Sequence, residues 1–187
     1  LFVIDAKNAD AYILANKAGE LYLVDAKAKG ISVTELVTVD KTRPSIELNL
    51  KNVEAELLPG SENNQEVINK VLDAGRLMLS ADSVGASQVM LDKAVAYSLE
   101  RKQFGRVIGS FQAVKHMCAE MAAELEPCLS MIWYAAHCYD HDPSQARLMA
   151  CHTKAHVSEV AKQISKTSTE VHGGMGFTDE LGLHYWF

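Results

Sequence analysis

Apolar residues follow two different periods along the chain, and the change between them divides it into two parts. In residues 1–58, short apolar runs alternate with turn signals, and two of the runs alternate apolar and polar residues strictly. A period of two is typical of strands with one buried face. The predicted strands are Leu1–Ile4, Ala11–Asn16, Leu21–Val24, Ile31–Val37 and Ser45–Leu50. Short strands at this spacing predict an antiparallel sandwich or barrel, and about 60 residues would form only a marginal core alone.

After a linker rich in Pro, Gly and polar residues at Pro59–Asn64, the period becomes helical. Ser61 or Asn63 is a candidate cap for the first helix. The predicted helices are Gln65–Arg101, with a break near Asp73 as an alternative, then Phe111–Tyr139, Pro143–Val171 and a short piece after Asp179. Long helices joined by short turns predict an up-and-down bundle. The fold class is therefore α+β, with a partial antiparallel β domain in residues 1–60 and a helical bundle domain in residues 61–187.

Pro127 lies inside an otherwise helical pattern. A proline there costs about 3 kcal/mol unless the helix bends, because its ring clashes with the preceding turn. We therefore expect a kink or break near Ala123–Glu126. An apolar stripe at helical spacing runs along this helix through Met121, Leu125, Leu129, Ile132 and Ala136. Met117, Met121 and Met131 are expected to fill the core.

Composition narrows the function classes. Of 187 residues, 48% are hydrophobic and 22% charged, which is an ordinary globular balance, and the formal net charge is −6. An acidic chain argues against nucleic-acid binding, which needs a basic surface. No apolar run reaches membrane length. The four cysteines have no paired spacing and lie in helical patterns, so buried thiols in a reducing compartment are expected rather than disulfides or a zinc site.

The connection between the first two helices, Arg101–Gln112, carries the clearest chemistry. Arg101 keeps its charge and offers a planar fork of donors, which suits a pair of phosphate oxygens. Gly105 and Gly109 allow a backbone to approach a ligand closely. A plain helix-hairpin turn with a solvated arginine is the alternative.

A second glycine-rich stretch, His172–Thr178, follows the third helix and is compatible with an ordinary helix stop. Taken together, Tyr97–Gly105, Phe111–Gln112 and Val171–Phe177 resemble the C-terminal helical domain of the acyl-CoA dehydrogenase family in order and separation. The resemblance covers residues 63–187 well and the earlier part more loosely, where it implies the end of the middle β domain.

The resemblance implies FAD as cofactor. Arg101, Phe104 and Gln112 match family positions that touch FAD, partly across a subunit boundary, with the arginine on the pyrophosphate. The stretch Glu170, Val171, His172, Gly173 and Gly174 matches the segment that holds the adenosine end, although Glu170 stands where many members carry Gln. A fixed cation and small residues suit a ligand with two phosphates and a flat ring system.

The resemblance also implies acyl-CoA contacts at Asp73 and Arg76, for which an ordinary surface ion pair is the alternative. The implied reaction is α,β-dehydrogenation: a carboxylate in a dry pocket takes the α proton while hydride leaves the β carbon. In some members of the family the catalytic Glu matches the position of Gly75. Because this chain has glycine there, that branch of the family is excluded. In most other members the base lies beyond the position of Phe187, so no catalytic residue is named, and Glu180 is not proposed as the base.

Partners and location follow from the same resemblance. It implies a homo-oligomer, dimer or tetramer, with electron-transfer flavoprotein as acceptor, a role in fatty-acid β-oxidation, and a cytoplasmic location, or the mitochondrial matrix in a eukaryote. Two alternatives stay open: a non-catalytic, cofactor-binding partner subunit of a heteromeric dehydrogenase, and a related flavin oxidase. Acyl chain length and ring-bearing substrates are not determined.

Two further features have simple readings. His152 and His156 are four residues apart, but no third ligand is placed by the sequence, so core or surface histidines are expected rather than a metal site. The apolar stretch Leu183–Phe187 is expected to continue into further chain or to be buried against a partner subunit.

Overall fold

The computed structural model describes residues 1–38, 43–62 and 65–186. Its chain divides into two compact units, Leu1–Val71 and Leu72 onward. The division falls inside the first helix, because α1 runs from Gln65 to Glu100. The predicted domain boundary after residue 60 stays a prediction.

The first unit consists of two three-stranded antiparallel sheets. One has the order β1-β5-β4 and the other β2-β3-β6. The strands are β1 (Phe2–Ile4), β2 (Ala11–Ala15), β3 (Leu21–Asp25), β4 (Ile31–Leu36), β5 (Ser45–Leu50) and β6 (Glu56–Leu57). All five predicted strands are present, with ends shifted by a residue or so. Strand β6 was not predicted, because two residues are too few to show a period.

Both sheets contribute to one small core. Ile46 and Leu48 of β5 are at most 1% exposed, and Tyr12 and Val24 of the other sheet are buried in the same cluster. The buried residues of β5 are two positions apart, as the alternation of apolar and polar residues in its sequence predicts. This packing of two antiparallel sheets agrees with the predicted sandwich-like β module.

The second part is a bundle of three long helices. They are α1 (Gln65–Glu100), α2 (Gln112–His141) and α3 (Pro143–His172), followed by 3₁₀ turns at Gly173–Phe177 and Leu183–Trp186. The break considered near Asp73 is absent, because a single Gly75 costs only about 1 kcal/mol and Asp73 and Leu77 are buried on the packed face. The α+β class and the up-and-down order of the helices are confirmed.

The break that was one of the two outcomes expected near Ala123–Glu126 is absent, since α2 continues through Pro127. The alternative, a kink there, stays a prediction. Pro127 and Ala123 both lie on the exposed side of the helix, so the carbonyl that loses its N–H partner can be hydrated. Buried Leu125 and Cys128 on either side hold the helix against its neighbours. Tertiary packing thus overrides the local cost of the proline.

A continuous apolar cluster joins the helices. Its fully buried members include Met90 and Ala94 of α1, Met121 of α2, and Val157 and Ile164 of α3. Met117 packs against the same cluster, as expected of the methionines. Leu183 of the last turn is 0% exposed in it, so the terminal segment is anchored to the bundle.

Two predictions are corrected: the burial of Cys151 and the capping of α1 by Ser61. All four cysteines are free, Cys128 and Cys138 are buried as expected, but Cys151 is exposed. Ser61 does not cap α1, because its hydroxyl donates to the carbonyl oxygen of Leu58 at 2.7 Å and accepts from the amide of Leu21. The other capping candidate, Asn63, lies outside the described residues.

Candidate functional site

The connection between α1 and α2 is a small β-hairpin rather than a plain turn. Strands β7 (Lys102–Gln103) and β8 (Arg106–Val107) pair in antiparallel fashion. Phe104 and Gly105 form the tip, with φ of 54° and 76°. Two positive φ values in succession are the mark of a type I′ hairpin turn, in which glycine is common and phenylalanine is rare. A bulky residue in this conformation is a strained position of the kind found at binding sites.

The hairpin places charge and aromatic surface in solvent. Arg101 is exposed at the end of α1 and, among the described residues, its side chain forms no ion pair. Phe104 is 92% exposed and meets Phe111 edge-to-face, with ring centroids 6.1 Å apart. The guanidinium of Arg106 lies 3.9 Å from the centroid of the Phe111 ring. Arg106 was not among the predicted site residues, although a cation directly after the Phe104–Gly105 turn is a signal that could have identified it.

Gln112 is the first residue of α2 and is exposed. Between the hairpin and α2, a 3₁₀ turn at Ile108–Ser110 packs closely on α1. A Cβ built on Gly109 would lie 2.9 Å from the carbonyl oxygen of Ser98. Glycine is therefore required here for close packing of the connection on the helix.

The second glycine-rich stretch begins where α3 ends. His172 is 4% exposed, and its Nδ1 lies 2.7 Å from the carbonyl oxygen of Ser168. Gly173 has φ of 59°, and its amide donates to the carbonyl of Glu170, which closes the helix. Val171 is buried, whereas Glu170, Gly173 and Gly174 are exposed. A Cβ at Gly173 or Gly174 would meet no atom within 4 Å, so this backbone borders open space.

Tyr97 links the two stretches. Its ring lies 4.6 Å from that of His172, and its carbonyl accepts the amide of Arg101 at 2.9 Å. The end of α1, the start of α2 and the end of α3 therefore meet at one end of the bundle. Eight residues are predicted to hold the cofactor, and one of them, Phe104, lies on the hairpin between α1 and α2. The other seven lie at or next to these helix ends: Arg101, Gln112, Glu170, Val171, His172, Gly173 and Gly174.

Asp73 and Arg76 lie elsewhere on α1. Their side chains form an ion pair at 2.5 Å, and Asp73 is 5% exposed. A buried carboxylate needs such a partner, because an isolated charge is costly away from water. Arg76 precedes the last residue of α1, Glu100, by 24 residues, which at 1.5 Å per residue is about 36 Å. One compact ligand cannot reach both this pair and Arg101 on the same chain.

Other chemistry is limited in the described part of the chain. No group of three or more metal-ligand side chains occurs there, and His152 and His156 are both exposed. Burial raises the pKa of the thiols of Cys118 and Cys128, which makes them poor nucleophiles at neutral pH. In residues 1–38, 43–62 and 65–186, no helix has the length and apolar content needed to cross a bilayer.

Two cavities among the described residues are lined by none of the predicted residues. A groove of about 440 Å³ between α2 and α3 is lined by Glu120, Glu124, Glu159 and His156 around an apolar floor. A cavity of about 1230 Å³ in the β unit has mixed charged walls. The candidate site is an exposed surface at the end of the bundle instead, as expected if a second surface completes it.

Comparison with known proteins identifies the family. A family model described as "Acyl-CoA dehydrogenase, C-terminal domain" matches residues 65–187, which is more than half of the chain. The chain therefore belongs to the acyl-CoA dehydrogenase family.

Three relatives illustrate the match. "Caffeyl-CoA reductase-Etf complex subunit CarC" of Acetobacterium woodii is 32% identical over 168 residues, covering 85% of this chain and 43% of the relative. The structure of a glutaryl-coenzyme A dehydrogenase with glutaryl-CoA aligns with a TM-score of 0.89 and 26% identity, over 99% of this chain and 50% of that one. A Tcur3481-Tcur3483 steroid ACAD variant gives 0.83 and 28%, over 97% and 49%. The chain thus spans about half the length of each of these three proteins.

Proposed function

We propose that this chain forms part of an FAD-dependent enzyme that introduces a double bond between the α and β carbons of an acyl-CoA thioester and passes the electrons to electron-transfer flavoprotein. The observation that carries the proposal is the convergence of Arg101, Gln112 and Gly173–Gly174 at one end of the bundle. Family membership supports an oxidoreductase, and the similarity to a subunit of an Etf complex supports this acceptor.

The residues present fit the cofactor. The side chain of Arg101 is exposed and forms no ion pair or hydrogen bond among the described residues, which leaves its donor fork available for a pyrophosphate. Gly173 and Gly174 present backbone without side chains toward open space, which suits close approach of the adenosine end. The exposed ring of Phe104 offers a flat apolar surface beside the arginine. FAD, when bound, accepts the hydride that leaves the β carbon of the substrate.

The pair Asp73 and Arg76 is proposed to contact the acyl-CoA. Arg76 keeps about a third of its side-chain surface exposed while it neutralises buried Asp73, so it can still donate to a ligand. Gly75 between them offers no carboxylate, and a Cβ there would meet only open space. This chain therefore orients substrate in the proposal, while no residue of it is assigned as the base.

The distance along α1 supports an oligomer. Because Arg76 and the end of α1 are about 36 Å apart, we infer that the cofactor-binding end and the substrate-binding end of α1 in one chain belong to different active sites. We propose that a second copy, or a heteromeric partner, completes each site. The molar mass of the intact gene product by light scattering tests this, and a folded, flavin-loaded monomer would contradict it.

The absorption spectrum of the intact gene product tests the activity. A flavin band that bleaches under anaerobic addition of one acyl-CoA from a panel supports the dehydrogenase and names the substrate class. Reduced protein that is reoxidised by the corresponding enoyl-CoA would show the reverse direction. Protein that takes up no FAD on reconstitution would contradict the proposal.

Arg101→Gln, with Lys102→Gln as a matched control on the next residue, tests the site itself. Loss of a hydrogen bond to a charged group costs about 1.5–3 kcal/mol, so FAD affinity should fall at least tenfold for Arg101→Gln only. Equal losses in both variants would indicate a general charge effect and argue against a specific pyrophosphate contact.

A non-catalytic, cofactor-binding subunit of a heteromeric enzyme is the second candidate. It is favoured by the similarity to a subunit of the caffeyl-CoA reductase-Etf complex. A flavin band that no thioester bleaches until a partner subunit is added would support it over the catalytic assignment.

A further inference from the structure

His137 and His141 form a close pair near the C-terminal end of α2. Their ring centroids are 4.9 Å apart at an interplanar angle of 50°, and both side chains are exposed. Residues four apart project from the same face of a helix, so α2 itself holds the rings together. Neither ring forms a hydrogen bond or an ion pair with a described residue. Their nitrogens are thus left for water or a ligand.

Two adjacent imidazoles are a recognised start of a transition-metal site. A neutral imidazole binds Zn²⁺, Ni²⁺ and Cu²⁺, and two histidines spaced by four on a helix can hold one ion between them. The position favours a cation further, because the C-terminal end of a helix carries partial negative charge. His141 stands in the last turn of α2.

The described residues contain no group of three or more metal-ligand side chains, so water must complete the coordination. Such a site is open and exchangeable, unlike the closed four-ligand sites that hold structural zinc. A site of two imidazoles binds ions that prefer nitrogen ligands, and it disfavours Mg²⁺ and Ca²⁺, which prefer oxygen ligands.

We propose that His137 and His141 form a two-ligand surface site for a divalent transition-metal ion of the nickel, copper and zinc class, which fastens the last turn of α2. The proposal is independent of the flavin chemistry. His152 and His156 of α3 have the same spacing and exposure but show no ring contact, so they provide a matched control within the chain.

Titration of the untagged full chain with Ni²⁺ by isothermal calorimetry tests the site. Linking two ligands raises affinity by about 10²–10⁴-fold over one, so His137→Ala and His141→Ala should each weaken binding at least tenfold. The double variant His152→Ala/His156→Ala should keep the original affinity. Trp133, one turn before His137 and 66% exposed, gives a second readout, since bound Ni²⁺ should quench its fluorescence.

Circular dichroism of each variant checks that the helices are intact, as expected for exposed positions. The proposal is overturned if the unmodified chain binds no Ni²⁺, or if either single variant binds as tightly as the original. Equal weakening in the His152/His156 control would also overturn it. Binding that survives both single variants but disappears when exposed Cys151 is blocked would assign the ion to the thiol and reject the pair.

Discussion

A methyl group added at Gly176 should destabilise the bundle, whereas the same group two residues earlier should not. Gly176 is buried in the 3₁₀ turn after α3, and a Cβ there would lie 2.7 Å from the carbonyl oxygen and 2.9 Å from the methyl carbon of Thr169. Gly174 belongs to the same turn, but a Cβ there meets nothing within 4 Å. The two substitutions therefore differ in packing and hardly in chemistry.

The expected magnitude follows from these distances. Forcing a methyl into a packed position costs about 1–3 kcal/mol, and the upper part of this range applies to Gly176→Ala because the blocking atom belongs to the helix backbone. Gly174→Ala should leave the free energy of unfolding within about 0.5 kcal/mol, or raise it slightly by restricting the unfolded chain. Urea unfolding followed by circular dichroism measures both.

The effect of the two substitutions on FAD affinity should be the reverse of their effect on stability. A side chain at Gly174 fills the open space proposed for the adenosine end of FAD, so Gly174→Ala should weaken FAD binding while stability is kept. Gly176→Ala should lose stability first. An unfolding free energy for Gly176→Ala equal to that of the parent would refute the packing argument, and unchanged FAD affinity in Gly174→Ala would refute the assignment of this backbone.

Three further predictions concern single contacts. Arg76→Gln leaves the carboxylate of Asp73 buried and unpaired. Since the Arg76 side chain is 31% exposed, we expect the loss of unfolding free energy to be at the lower end of the range for broken buried pairs, about 3 kcal/mol, in urea unfolding. Burial raises the pKa of the Cys128 thiol in the folded state above that in the unfolded chain. The thiol therefore contributes stability at pH values below the ordinary thiol pKa, and this contribution is lost as the pH rises above it. The free energy of unfolding should fall as the pH rises past about 8.5, and it should fall less steeply in Cys128→Ala. Arg106→Gln removes the cation above Phe111 and should loosen the hairpin by about 0.5–1 kcal/mol, seen as faster amide exchange in β7 and β8.

Each of these predictions has its own check. Asp73→Asn in the Arg76→Gln background should recover part of the lost stability, and no recovery would argue against a charge effect. A pH slope that is the same with and without Cys128 would assign the effect to other groups. Lys102→Gln removes a charge from the neighbouring strand without touching the ring, so equal exchange rates in both variants would contradict the role of Arg106.

The hairpin between α1 and α2 shows where sequence patterns stop being informative. The two long helices and the break between them follow from apolar spacing, and Gly105 marks the turn. The pairing of Lys102–Gln103 with Arg106–Val107 was missed, because two-residue strands have no period. The positive φ of Phe104 was equally hidden, since phenylalanine seldom adopts it and the surroundings must impose it.

Exposure of individual side chains was another limit. A kink or break near Ala123–Glu126 was expected from the local cost of Pro127, but the exposed position of the proline and the buried residues around it keep α2 continuous. Cys151 was grouped with the buried thiols because it lies in a helical pattern, yet it faces solvent. Both cases depend on which face of a helix meets a neighbour, and only packing decides that.

The sequence by itself determined the α+β class, the first five strands and the three long helices within a few residues, and the motifs that resemble the family. Periodicity and turn residues act over a few neighbouring positions, which is why these features could be predicted. Only the tertiary structure decided that Tyr97 brings the end of α1 to His172, and that Asp73 is buried with Arg76 far from Arg101 along the same helix. These relations join residues distant in sequence, or depend on burial. They are therefore fixed by the packing of whole helices rather than by any local pattern.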